Sequence, residues 1–182
     1  MLSPIKTLLM YFPLTFFLRV LFLLAIDIAT AILMYKRYKK KLITRNKAIV
    51  VVMLVTYITA VLFFTLLGRR TLEYYRFGPD VASYYTALFG GSNDVDITEL
   101  LLNILMFIPI GLLACLVFKR YRVFCSVCVG LCVSVFIELF QFLLRSGYVS
   151  ATDVIHNTLG TLLGALLGLA IILVSKRAGV FR

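Results

Sequence analysis

The chain has 182 residues, of which 62% are hydrophobic, and a formal net charge of +11. A soluble domain would be about 45–50% apolar. This composition therefore excludes a water-soluble globule and points to one integral membrane domain over residues 1–182. A nucleic-acid partner needs a polar basic surface, which the sequence lacks, so the positive excess reads as cytoplasmic Lys and Arg facing anionic lipid.

The first apolar run, Leu14 to Tyr35, is long enough to span a bilayer. It has no A-x-A-like cleavage site, so no processing is expected. Arg19 lies about a turn inside its start and can snorkel outward. Asp27 lies near its middle. A carboxyl group there is protonated, paired with a Ser, Thr or Arg of another helix, or used for a ligand. The stretch from Tyr35 to Lys47, Y-K-R-Y-K-K-K-L-I-T-R-N-K, is the densest positive cluster. It reads as a cytoplasmic anchor or as a lipid-headgroup site.

The second span, Ala48 to Leu67, is uncharged and ends at Gly68-Arg69-Arg70. By alternation Arg69 and Arg70 face outward, against the positive-inside trend. They are candidates to hold a lipid phosphate or a carboxylate, or to pair with the acids that follow. The long link from Thr71 to Asp96 is rich in rings, among them Tyr74, Tyr75, Tyr84, Tyr85 and Phe89. Rings suit the headgroup region, and Val81 to Phe89 reads as a short interfacial or re-entrant helix over the outer mouth of the bundle.

The third span runs from about Ile97 to Phe118. Asp96, Glu99 and Asn103 share one helical face near its outer end. Pro109 removes a backbone hydrogen bond and should kink the helix, and Gly111 permits close approach beside it. Lys119, Arg120 and Arg122 mark the cytoplasmic end. The fourth span, Val123 to Leu144, carries Cys125, Cys128 and Cys132 on one face and Glu138 and Gln141 in its outer half. No His or carboxylate joins the cysteines at ligand spacing, so they read as packing residues and no metal or cofactor is expected.

After a link from Arg145 to Thr152 comes the fifth span, ending near Val174. Thr152-Asp153 offers an N-cap to it. Asp153 and Asn157 lie on one face, continued by Gly160, Gly164 and Gly168, a small-xxx-small seam for close backbone packing. Basic clusters at 36–47, 119–122 and 176–182 all fall in the cytoplasm if the N-terminus is outside and the C-terminus inside. Asn103, Glu138, Gln141, Asp153, His156 and Asn157 then sit in the outer half of the membrane.

Two spacings stand out: N-x3-F-x-P-x-G over Asn103, Phe107, Pro109 and Gly111, and E-x2-Q-x11-D-x3-N-x2-G-x3-G over Glu138, Gln141, Asp153, Asn157, Gly160 and Gly164. Together they resemble the VanZ-like family of bacterial membrane proteins, most closely over 96–170 within a core of about 48–174. The first two spans match in character only. The resemblance implies a multi-pass protein of the bacterial cell membrane. The family is named for a member associated with teicoplanin resistance.

Three functions fit these residues. The first is binding of an amphiphile: an envelope lipid, a lipid-linked cell-wall precursor or a lipoglycopeptide. The second is a membrane enzyme with Glu138 and Asp153 as a carboxylate pair and His156 as proton carrier. The alternative for His156 is a helix-start residue bonded to a neighbouring carboxylate. The third is a structural role in which the polar groups only pair helices. The oligomeric state is left open.

Overall fold

The structure, a computed structural model, describes residues 14–67, 76–78, 80–91, 97–144 and 148–178. Five long helices form: α1 (Leu14–Lys39), α2 (Arg45–Leu62, prolonged by a π turn over Phe63–Leu67), α4 (Ile97–Val117), α5 (Arg122–Leu144) and α6 (Ala151–Arg177). A short helix, α3 (Val81–Phe89), lies between α2 and α4 in the chain. The expected all-α bundle is therefore what forms, and all five expected spans are long and apolar enough to cross a membrane.

The ends differ by a few residues from the apolar runs. Helix α1 continues to Lys39 and α6 to Arg177, because Lys, Arg and Tyr hold helical backbone outside hydrocarbon. The turn after α1 closes with Lys41 at φ 57° and the Leu42 N–H donating to the Arg37 carbonyl at 3.0 Å. Helix α2 begins ahead of its apolar run, at Arg45, because Thr44 caps it by accepting from the Lys47 N–H at 3.3 Å. Helix α3 matches the expected short helix, with Asp80 as its cap.

The tightest packing joins α4 to α6, which run parallel. A Cβ at Gly160 would overlap the Ile104 carbonyl, and one at Gly164 the Ile108 carbonyl. A Cβ at Gly168 would come within 3.0 Å of the Cys115 Cβ. In return, a Cβ at Gly111 would overlap the Thr161 carbonyl. The glycine ladder is thus a seam of backbone on backbone, advancing one turn at a time on both helices. Helix α4 continues unbroken through Pro109.

A second core lies on the other side of α4. Phe107, Ile110, Leu113 and Ala114 of α4 meet Leu54 and Val61 of α2 and Ile137 of α5. Helix α1 packs on α2 and the π turn. Its Asp27 accepts from the Thr59 hydroxyl at 3.0 Å and from the Thr56 hydroxyl at 3.3 Å. The mid-span acid is therefore answered by threonines of the neighbouring helix.

One feature has no counterpart in the apolar pattern. Residues Arg76–Phe77 (β1) and Tyr148–Val149 (β2) form a parallel two-residue pair, with Arg76 opposite Tyr148 and Phe77 opposite Val149. The Gly78 N–H extends it, donating to the Val149 carbonyl at 2.9 Å. This pair ties the link before α3 to the link before α6.

Candidate functional site

Helices α4 and α6 start at the same end of the bundle, where the β1–β2 pair and α3 also lie. The link into α6 is held from below. Glu138, only 7% exposed on α5, accepts from the Ser150 backbone N–H at 2.8 Å. Ser150, not Thr152 or Asp153, is the N-cap residue of α6, and its side chain makes no capping bond. Its Oγ lies 2.5 Å from the Thr152 Oγ1 instead. The expected cap is displaced because the β2 pairing and the Glu138 bond fix the backbone up to Ser150. The helix starts at once, which puts Asp153 in its first turn. Gly78 crosses directly above; a Cβ there would sit 2.9 Å from the Ser150 Oγ.

One turn into α6, His156 is 3% exposed. Its Nε2 lies 3.2 Å from the Tyr85 hydroxyl of α3, and the Tyr84 ring lies 5.5 Å from the imidazole, centroid to centroid. The expected carboxylate partner for His156 is thus replaced by a phenol, because α3 folds back over the start of α6. Asn157 next to it donates from Nδ2 to the Ser134 hydroxyl of α5 at 2.9 Å. The Asn157 backbone carbonyl accepts from the Thr161 hydroxyl at 2.9 Å.

A cavity of about 200 Å³ opens above these groups. Gly78 and Tyr84 line it from the α3 side, Glu99 and Leu100 from α4, and Ser150, Thr152, Asp153 and His156 from the start of α6. Among the described residues, four buried polar atoms have no partner: Asn103 Nδ2, Gln141 Oε1, His156 Nδ1 and Asn157 Oδ1. A buried donor or acceptor that finds no partner costs about 1–3 kcal/mol. All four belong to the half of the bundle that holds the cavity.

The expected site residues do not all come together: Asn103 and Gln141 are not among the lining of the cavity, and each keeps a buried side-chain atom without a partner. Asp153 and His156 line the cavity. Glu138 and Asn157 instead hold elements together, one under the link and one between α5 and α6. Glu138 and Asp153, paired as carboxylates in the sequence reading, thus do different work. The acid that shares the cavity with Asp153 is Glu99. Tyr84, Tyr85 and Ser134 were not among the expected site residues, and only the clustering of rings in 74–89 signals any of them. Arg69, Arg70 and Asp96 lie outside the described residues. Among the described residues no group of three His, Cys, Asp or Glu is placed to hold a metal ion.

The family model described as VanZ/LLP1 matches residues 2–173, which adds the first two spans to the region marked by the motifs. No curated protein and no solved structure matches the chain.

Proposed function

We propose, on the premise that this chain belongs to the VanZ/LLP1 family, that it acts at the outer leaflet by holding the polar head of an amphiphilic envelope molecule. The class includes lipid-linked cell-wall precursors and lipoglycopeptides, and its consequence is reduced susceptibility to teicoplanin. The premise makes the chain a multi-pass membrane protein of the bacterial type. Its five apolar helices agree. The observation that carries the reading is the cavity between α3, α4 and α6. Its lining combines apolar surface with the polar side chains of Glu99, Asp153 and His156, while α4 presents exposed Leu101 and Leu102 directly after Leu100 of that lining. A head in the cavity leaves a tail free to run down that apolar surface, where hydrocarbon is its natural surrounding.

A structural reading accounts for Glu138 and Asn157, which bond to neighbouring elements, but it supplies no purpose for the cavity. An enzymatic reading draws on Asp153 and His156 in one cavity. A lipid product made by the purified protein and lost in Asp153→Asn would establish it.

The test is growth of a susceptible Gram-positive host carrying empty vector, wild type or Glu99→Gln, at matched membrane abundance. Wild type should protect against teicoplanin and not against vancomycin, and the variant should lose that protection. Inhibition at the same concentration with and without the protein would overturn the proposal.

A further inference from the structure

We infer that the opposite end of the bundle carries a second site, an open cleft at the turn from α4 to α5 that holds the phosphate head of an anionic phospholipid. This end lies away from the cavity between α3, α4 and α6, and the site stands independently of the function proposed for that cavity.

The distribution of charge makes this end wait for an anion. The chain has eight acids, and none falls in 28–72, 100–137 or 154–182. The basic clusters at 36–47, 119–122 and 176–182 therefore have no carboxylate side chain in their own segments. Along α5 the acid nearest to Arg122 is Glu138, 16 residues on, which is roughly 24 Å of helix. Interactions between exposed charges are largely screened beyond about 10 Å, so Glu138 does not neutralise this end. Among the described residues, none forms an ion pair or hydrogen bond with the exposed Lys119 ammonium.

The turn builds the cleft. Helix α4 stops at Val117 and α5 starts at Arg122. Tyr121 closes the turn with left-handed backbone at φ 50°, which is uncommon for a residue with a bulky side chain. Arg122 then reaches back and donates from Nη1 to the Cys115 carbonyl at 2.8 Å. That carbonyl is one of those the end of α4 leaves without a helical donor. The bond holds the guanidinium in place and leaves its other N–H groups for an anion. Arg120 is engaged otherwise: it donates to the Tyr121 hydroxyl at 3.0 Å and lies 4.8 Å from the centre of that ring.

The cleft, of about 340 Å³, is lined by Lys119, Tyr121 and Arg122 together with Val123, Phe124 and Leu169. Two cations thus face the space and no acid does. A phosphate can take charge-assisted hydrogen bonds from both. The apolar part of the lining, with Phe124 71% exposed, meets the glycerol and the start of the acyl chains, which a free phosphate does not have. A choline or ethanolamine head adds an ammonium, for which this lining has no carboxylate, and the Tyr121 ring already faces the Arg120 guanidinium. The head that fits is therefore net negative, as in phosphatidylglycerol.

The experiment mixes the full chain, in a nonionic detergent, with equimolar phosphatidylglycerol and phosphatidylcholine of the same acyl chains. Native mass spectrometry reads the first lipid bound. Phosphatidylglycerol should be preferred roughly tenfold, and Lys119→Gln should lower that to roughly threefold or less. Arg122→Gln should act likewise, but it also removes the bond to α4, so the exposed Lys119 is the deciding position. Lys40→Gln, in the separate basic cluster, should leave the preference as it is, and excess inorganic phosphate should not displace the lipid. Equal binding of the two lipids would overturn the inference, as would a preference unchanged in Lys119→Gln. An equal fall in Lys119→Gln and Lys40→Gln would replace the site by a diffuse basic field. Displacement by inorganic phosphate would make it a site for a free anion and overturn the lipid assignment. Teicoplanin protection plays no part in these outcomes, so this inference and the proposed function fail separately.

Discussion

At the scale of single residues, His156 and Asn157 show how adjacent polar groups are divided. His156 faces α3 and the cavity, and Asn157 faces α5, where Ser134 receives it. Their polarity inside an apolar run is legible in sequence, because hydrocarbon tolerates such groups only with partners. The partners are not legible. Tyr85 and Ser134 are set by which helices meet, and neither lies within a turn of its partner in the chain. Asp27 was readable as needing a Ser, Thr or Arg, and Thr59 and Thr56 fill that place. Outside the spans, Asp80 makes a testable case. The Ser83 hydroxyl at 2.5 Å and N–H at 3.0 Å hold its carboxyl below the usual carboxylate range. A depressed value in the folded state means that the cap is fully stabilising above the ordinary pKa of about 3.9 and is lost as pH falls through the folded value. Amide exchange over 81–89, corrected for its intrinsic pH dependence, should therefore rise below about pH 4. In Asp80→Ala it should be fast throughout with no such step. A flat profile in the wild type would refute this role for the cap.

At the scale of elements, the glycine seam was readable because three glycines four residues apart leave one side of a helix without side chains. What the spacing does not name is the partner. That α4 answers, with Gly111 facing Thr161, follows from the fold. The seam predicts graded costs. Gly164→Ala sets a methyl against the Ile108 backbone, which cannot move aside without parting the helices, and should cost about 1–3 kcal/mol. Gly168→Ala meets mainly the Cys115 side chain at 3.0–3.3 Å and should cost less. Thermal unfolding in detergent of the two variants checks the order; equal midpoints would show that the seam is looser than its geometry. The β1–β2 pair was illegible for a different reason. Two residues are too short for any periodicity, and the pairing depends on two links that are 72 positions apart, Arg76 and Tyr148 being opposite each other.

At the scale of the whole molecule, five spans were legible because a bilayer demands about 20 apolar residues per crossing. Sidedness rests on charge. The basic clusters at 36–47, 119–122 and 176–182 should all be cytoplasmic. A fluorescent protein fused after Arg182 should then fold and emit, while an alkaline phosphatase at the same place should be inactive. The reverse pattern would move the cavity to the inner leaflet and withdraw the outer-leaflet reading. The parallel course of α4 and α6 has an electrical side. Two helices side by side in the same direction align their peptide dipoles, so both positive ends meet at the cavity, each equivalent to roughly half a charge. Each helix carries one acid in its first turn, Glu99 on α4 and Asp153 on α6. An acid so placed is favoured by about 0.3–1 kcal/mol. The chain thus answers its own positive field from within, and the mouth of the bundle needs no external anion to balance it.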